Sequence, residues 1–99
     1  MTSSTQTSPG AIVRELPIVN QRGLHARASA KFVQTVNRYE ATVTVEKDGV
    51  KVGGTSIMGL MMLAASPGCC IRVTASGAQA EDAMAALEAL IADKFGEEI

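Results

Sequence analysis

A single histidine, His25, lies in the segment Gly23-Leu24-His25-Ala26-Arg27. A polar turn, Asn20-Gln21-Arg22-Gly23, precedes it, and a helical pattern begins near residue 26. The imidazole is therefore expected over the first turn of a helix. Such a turn exposes unpaired backbone N–H groups and roughly half a positive charge, which makes it a ready anion site. The backbones of Gly23, Ala26 and Arg27 are the candidates for cradling an anion there. Gly23 permits close backbone approach, and the Arg27 side chain adds a planar, multi-donor cation. An imidazole, free amides and a guanidinium in one small volume suit a phosphoryl group carried on the imidazole itself, a nucleophilic role open to histidine. The neighbouring cation and helix dipole favour the neutral, nucleophilic ring. The pentapeptide contains no partner carboxylate, no second histidine and no Walker-type loop.

A second candidate is Ser56. It follows Gly53-Gly54-Thr55 and is placed to cap a short helix over residues 57–64. As an unmodified cap it stabilises that helix by about 0.5–2 kcal/mol. A phosphate there would add about −1.5 to −2 charges, tolerated at a helix N-terminus but disruptive to a partner surface. The helix itself, with Ile57, Met58, Leu60, Met61, Met62 and Leu63, is apolar nearly all round, more than one sheet face can bury. Methionine-rich surfaces adapt to several partners in turn. Ile57, Met58, Met61 and Met62, together with Leu24 beside the histidine, are the expected docking residues. Cys69 and Cys70 are strand neighbours pointing to opposite faces, so no disulfide is expected between them. One histidine and two cysteines without clustered carboxylates argue against a zinc site, and no metal or cofactor is expected.

The elements that position these residues read as β-α-β-β-α-β-α. Residues 11–19 form a first strand with Ile12, Leu16 and Ile18 on one face, and Pro17 marks a strand end or an edge. The helix over residues 26–37 presents Ala26, Ala30, Val33 and Val36 inward. Residues 41–47 alternate as a strand, and Asp48-Gly49 turns the chain into a hairpin with residues 50–52. That loop sets Val45 opposite Val52 and Glu46 opposite Lys51, both favourable cross-strand pairs. Ser66-Pro67-Gly68 ends the second helix. Residues 69–75 then form a strand with Ile71, Val73 and Ala75 on one face. The last helix, residues 79–95, carries the stripe Ala80, Ala83, Met84, Leu87, Leu90 and Ile91. Glu81 and Asp82 in its first turn and Lys94 in its last suit the helix dipole, and Gly96 is its stop. The economical packing is α+β: an open-faced sandwich of a four-stranded antiparallel sheet with three helices on one face.

The 99 residues make one small domain, predicted over residues 11–96, with a disordered tail at 1–10 and a C-terminal tail at 97–99. Nine basic and ten acidic residues give a formal net charge of −1, which supplies no electrostatic drive toward nucleic acid. Phe32, Tyr39 and Phe95 are too few for a base-stacking sheet. The longest nearly unbroken apolar run, residues 57–65, is far short of the roughly 20 that a membrane span needs. Free thiols and the absence of a signal peptide point to the cytoplasm, and the expected state is a monomer.

Gly23-Leu24-His25-Ala26-Arg27, followed by Ser29-Ala30-Lys31-Phe32-Val33, resembles the active-site signature of the HPr family, the histidine phosphocarriers of the phosphoenolpyruvate–sugar phosphotransferase system. The segment from Ser56 through Ile57-Met58-Gly59-Leu60-Met61 to Leu63 resembles the same family's regulatory-serine motif, at the family's separation. The resemblance runs from about residue 11 to 95 and implies the family fold. It also implies that His25 is phosphorylated on Nδ1 by phospho-enzyme I and passes the group to a IIA component. Arg27 matches the arginine beside the phosphate, and Ser56 the serine modified by HPr kinase/phosphorylase in some bacteria. The family usually has proline where this chain has Ala28. Alanine keeps the helix but changes the stiffness and the donor count of its first turn. Two alternatives stand beside this reading. One is the nitrogen-related regulatory branch (NPr), which signals rather than serving sugar uptake; the other is a non-phosphorylated effector-binding module.

Overall fold

A computed structural model describes residues 11–97. The chain forms β1 (Ile12–Pro17), α1 (Ala26–Val36), β2 (Thr42–Lys47), β3 (Val50–Gly53), α2 (Ile57–Met62), β4 (Cys70–Ser76) and α3 (Ala80–Ala92), then a short 3-10 turn at Lys94–Gly96. The four strands make one sheet in the order β1-β4-β2-β3, with every pairing antiparallel. This is the expected open-faced α+β sandwich.

The hairpin follows the predicted register: Val45 faces Val52 and Glu46 faces Lys51. Asp48 at φ 52° and Gly49 at φ 83° supply the two left-handed positions that a tight two-residue turn requires. Pro17 is the last residue of β1, an edge strand paired only with β4, where its missing donor costs nothing. Leu16, Ile71, Val73, Ala75, Val43 and Val45 are buried beneath the helices. Thr42, Thr44, Glu46, Arg72 and Thr74 line the opposite, polar face.

Three helical expectations are corrected. In α1 the buried positions are Ala28, Ser29, Phe32, Thr35 and Val36; of the predicted inward residues Val36 is buried and Val33 packs against the core, whereas Ala26 is exposed and Ala30 only half-buried. Burying the ring of Phe32 outweighs burying small alanines. The two hydroxyls carried inward are satisfied locally: Ser29 Oγ donates to the Leu24 carbonyl (3.3 Å) and Thr35 Oγ1 to that of Lys31 (2.9 Å). The second correction concerns α2, which stops at Met62 because Ala64 adopts φ 55°, a left-handed position that terminates a helix. The third is α3, which ends at Ala92 rather than running to residue 95. Lys94, Phe95 and Gly96 all have positive φ (57°, 57° and 77°), and this left-handed turn swings Phe95 into the core, where it is 1% exposed. Lys94 therefore lies in the turn, outside the last turn of α3. The α3 stripe otherwise holds, with Leu90 half-buried and Ala80, Ala83, Met84, Leu87 and Ile91 buried.

Ala28 occupies the first turn of α1, fully buried, and the helix starts at Ala26 without a proline there. The expected tail at 1–10 lies outside the described residues, as do 98 and 99. No helix among the described residues is long and apolar enough to cross a membrane.

Candidate functional site

His25 is the residue that caps α1. Its backbone is extended (φ −76°, ψ −177°), its carbonyl accepts the Ser29 N–H at 2.9 Å, and its Nδ1 accepts the Arg27 N–H at 3.3 Å. Nδ1 thus faces the positive end of the helix dipole. Ala26 N–H is likewise a first-turn amide with no acceptor within the helix. The Arg27 side chain is exposed and forms no ion pair with any described residue.

The loop carrying His25 is fastened on both sides. Leu24 N–H donates to the Ala65 carbonyl at 3.0 Å, just beyond α2, and the Leu24 carbonyl accepts from Ser29 Oγ. Leu24 is only 5% exposed, so it is a core residue and offers no docking surface, contrary to expectation. Its apolar side chain completes the core beneath the loop. The expected role of Gly23 also changes. Its N–H is spent on the Asn20 carbonyl (3.3 Å) and its carbonyl accepts from Asn20 Nδ2 (2.9 Å), so its backbone is not free to cradle an anion. At φ +66°, a Cβ on Gly23 would stand 2.3 Å from the Ala65 oxygen, and this contact is what demands glycine. Close approach is real here, but to α2's exit rather than to a ligand.

Two further residues complete the site. Glu97, assigned by sequence to a tail, places one carboxylate oxygen against His25 Nε2 in a very short hydrogen bond. Its other oxygen accepts from Asn20 Nδ2 at 3.1 Å. The side chains of His25 and Glu97 are 22% and 12% exposed, so the pair is open to solvent at its edge and sheltered at its base. Partial burial pushes the Glu97 carboxyl up. Hydrogen bonds from His25 and Asn20, with the charges of His25 and Arg22, outweigh that and hold it below its ordinary value. Asn20 is fully buried, and its Oδ1 has no partner among the described residues.

The absence of a partner carboxylate near His25 in sequence is therefore overturned in space: Glu97 lies 72 residues on. The one sequence signal for it is Phe95-Gly96-Glu97, an apolar anchor and a glycine followed by an acid. Nothing local marks Asn20 as more than a turn residue.

Ser56 caps α2, its Oγ accepting the Gly59 N–H at 2.9 Å, and the residue is exposed. Ile57 (41%), Met58 (72%), Met61 (44%) and Met62 (75%) stand out among the exposed large apolar residues, while Leu60 and Leu63 turn inward. α2 packs on α1, and the Leu24–Ala65 bond joins its exit to the His25 loop. Cys69 and Cys70 are free thiols, half-buried and exposed respectively. Hydrogen bonding to the Ser66 side chain and backbone lowers the Cys69 thiol below its ordinary value. No cluster of metal-ligating side chains occurs among the described residues.

A family model for the PTS HPr component phosphorylation site matches residues 12–93. The chain is 49% identical over 84 residues to the phosphocarrier protein HPr of Neisseria meningitidis, covering 85% of this chain and 94% of that one. Among solved structures it is similar to HPr-C-His from Thermoanaerobacter tengcongensis, with a TM-score of 0.84, 44% identity and coverage of 89% and 99% of the two chains. It is also similar to an HPr dimer from the same organism, with a TM-score of 0.70, 41% identity and coverage of 98% and 100%.

Proposed function

The chain belongs to the HPr phosphocarrier family of the phosphotransferase system, and on that premise we propose that His25 carries the phosphoryl group between enzyme I and a IIA component. The observation that carries this reading is the seat of His25. Its ring is partly open to solvent, and Nδ1 accepts the Arg27 backbone N–H at the head of α1.

The chemistry follows from that seat. The Nδ1 lone pair attacks phosphorus on phospho-enzyme I. The new N–P bond forms as the bond from phosphorus to the donor breaks, and the donor keeps that electron pair. The incoming phosphoryl oxygens arrive where α1 presents N–H groups and a helix dipole. The Arg27 amide, released from Nδ1 as its lone pair is used, becomes a donor to those oxygens, and Ala26 N–H adds a second. The Arg27 guanidinium supplies a charge-assisted contact. Delivery to the IIA acceptor is the reverse step, so the chain is a covalent relay and needs no cofactor.

Partner contact falls to the exposed apolar face of Ile57, Met58, Met61 and Met62. Ser56, at the head of the same helix, is the regulatory position, open to an HPr kinase/phosphorylase. The working unit in this reading is one chain, because each transfer needs the His25 edge and the α2 face of a single copy.

The test is labelling with phosphoenolpyruvate and enzyme I. The wild-type chain should take up one acid-labile, base-stable phosphate, visible by ³¹P NMR, and His25→Ala should take up none. Labelling that survives in His25→Ala would remove the histidine from its role.

A further inference from the structure

We propose that Glu97 is a positioning residue for phosphoryl transfer, holding His25 in the tautomer that bares Nδ1 and balancing the charge that the ring acquires. This rests on the reading of His25 as the phosphorylated residue.

The two partners of the ring permit only one neutral form. An ionised carboxylate is acceptor-only, so Nε2 facing Glu97 must bear the proton. A backbone amide is donor-only, so the Arg27 N–H, at a long 3.3 Å, favours the lone pair on Nδ1 but holds it more weakly than Glu97 holds the Nε2 proton. Together they fix both the tautomer and the ring orientation, the part that an acidic partner plays for histidine in other nucleophilic and metal sites.

The charge balance follows. When Nδ1 bonds to phosphorus, no proton leaves the ring: Nε2 keeps its hydrogen and the ring becomes a phospho-imidazolium cation. The Glu97 carboxylate already lies against that N–H. The cationic groups nearby, Arg22 on the Glu97 side and Arg27 on the helix side, do not offset the ring charge, so Glu97 is the anion that meets it.

The placement of Glu97 is built by several independent features. α3 stops at Ala92, and the chain reverses through Lys94, Phe95 and Gly96, all left-handed, at a cost of roughly 1–2 kcal/mol for each non-glycine residue. Phe95 is anchored in the core, and its carbonyl accepts a 2.6 Å hydrogen bond from Lys31 Nζ on α1. Asn20 then grips the second carboxylate oxygen. A strained turn with a buried anchor, a lysine clamp and an asparagine grip converges on one carboxylate.

The experiment uses the full chain with Glu97→Gln and Glu97→Ala. ¹⁵N NMR of the His25 ring reads the tautomer, and the phosphoryl-transfer equilibrium with enzyme I reads the stability of the charged phospho form. Glutamine keeps an acceptor oxygen, so Glu97→Gln should retain the Nε2–H tautomer. It should shift the transfer equilibrium toward enzyme I about tenfold, the effect of losing one charge-assisted contact. Glu97→Ala should show mixed tautomers as well as the shifted equilibrium. An unaltered tautomer in Glu97→Ala, or an unaltered equilibrium in Glu97→Gln, overturns the proposal. Those results leave the carrier role of His25 standing, whereas labelling of His25→Ala would remove that role and this inference together.

Discussion

A methyl group on Gly23 would collide with the Ala65 carbonyl oxygen at 2.3 Å, on a backbone already at φ +66°. Strain and overpacking each cost about 1–3 kcal/mol, so Gly23→Ala should lose about 3 kcal/mol of stability. Thermal unfolding measures it, and an unchanged midpoint would show that the loop relaxes around the new side chain. Residues of this kind were half-legible. His25 and its place at the head of a helix followed from a polar turn and a periodic pattern, because capping is a local event. The purpose of Gly23 did not, since the carbonyl it abuts belongs to residue 65. Glu97 was hidden for the same reason on a longer span: the pattern of α3 runs smoothly to Phe95, and no local rule shows where the next carboxylate goes.

Among the elements, those set by neighbouring residues were read best. Asp48-Gly49 determines its own hairpin and register, and the α3 stripe repeats often enough to identify its buried face. In α1 the valines mark part of the inward face, but alanines occur on several faces, and only the volume of Phe32 decides which of them turns inward. Helix ends made through left-handed non-glycine residues, Ala64 after α2 and Lys94 after α3, carry no marker in the sequence. At α2 this matters for regulation. Ser56 is an exposed N-cap, so a negative charge there meets the favourable end of the helix and leaves the fold intact. Ser56→Asp should therefore keep the circular dichroism spectrum of the wild type while slowing phosphoryl transfer from enzyme I several-fold. Unchanged transfer kinetics would count against the regulatory role.

Across the whole molecule, the two sides of the sheet differ in kind. One is a polar surface of threonines and charged residues; the other is covered by helices that bring the His25 loop, α2 and the turn after α3 to bear on one another. The exposed methionines of α2 contribute little to the core, so removing them separates docking from stability. Met58→Ser with Met62→Ser should change the unfolding free energy by no more than about 0.5 kcal/mol while raising the KM for this chain in enzyme I turnover. A KM equal to that of the wild type would place the docking surface elsewhere. The reversal at Lys94 and Phe95 has a consequence for synthesis. Its φ of 57° is the value that mirror-image amino acids adopt in their own relaxed helical state. A D-lysine at position 94, introduced by joining synthetic segments at the Gly68–Cys69 bond, would fit the native path of the chain without the steric penalty borne by its L counterpart. The C-terminal segment is thus a place where inverted chirality would strengthen the protein.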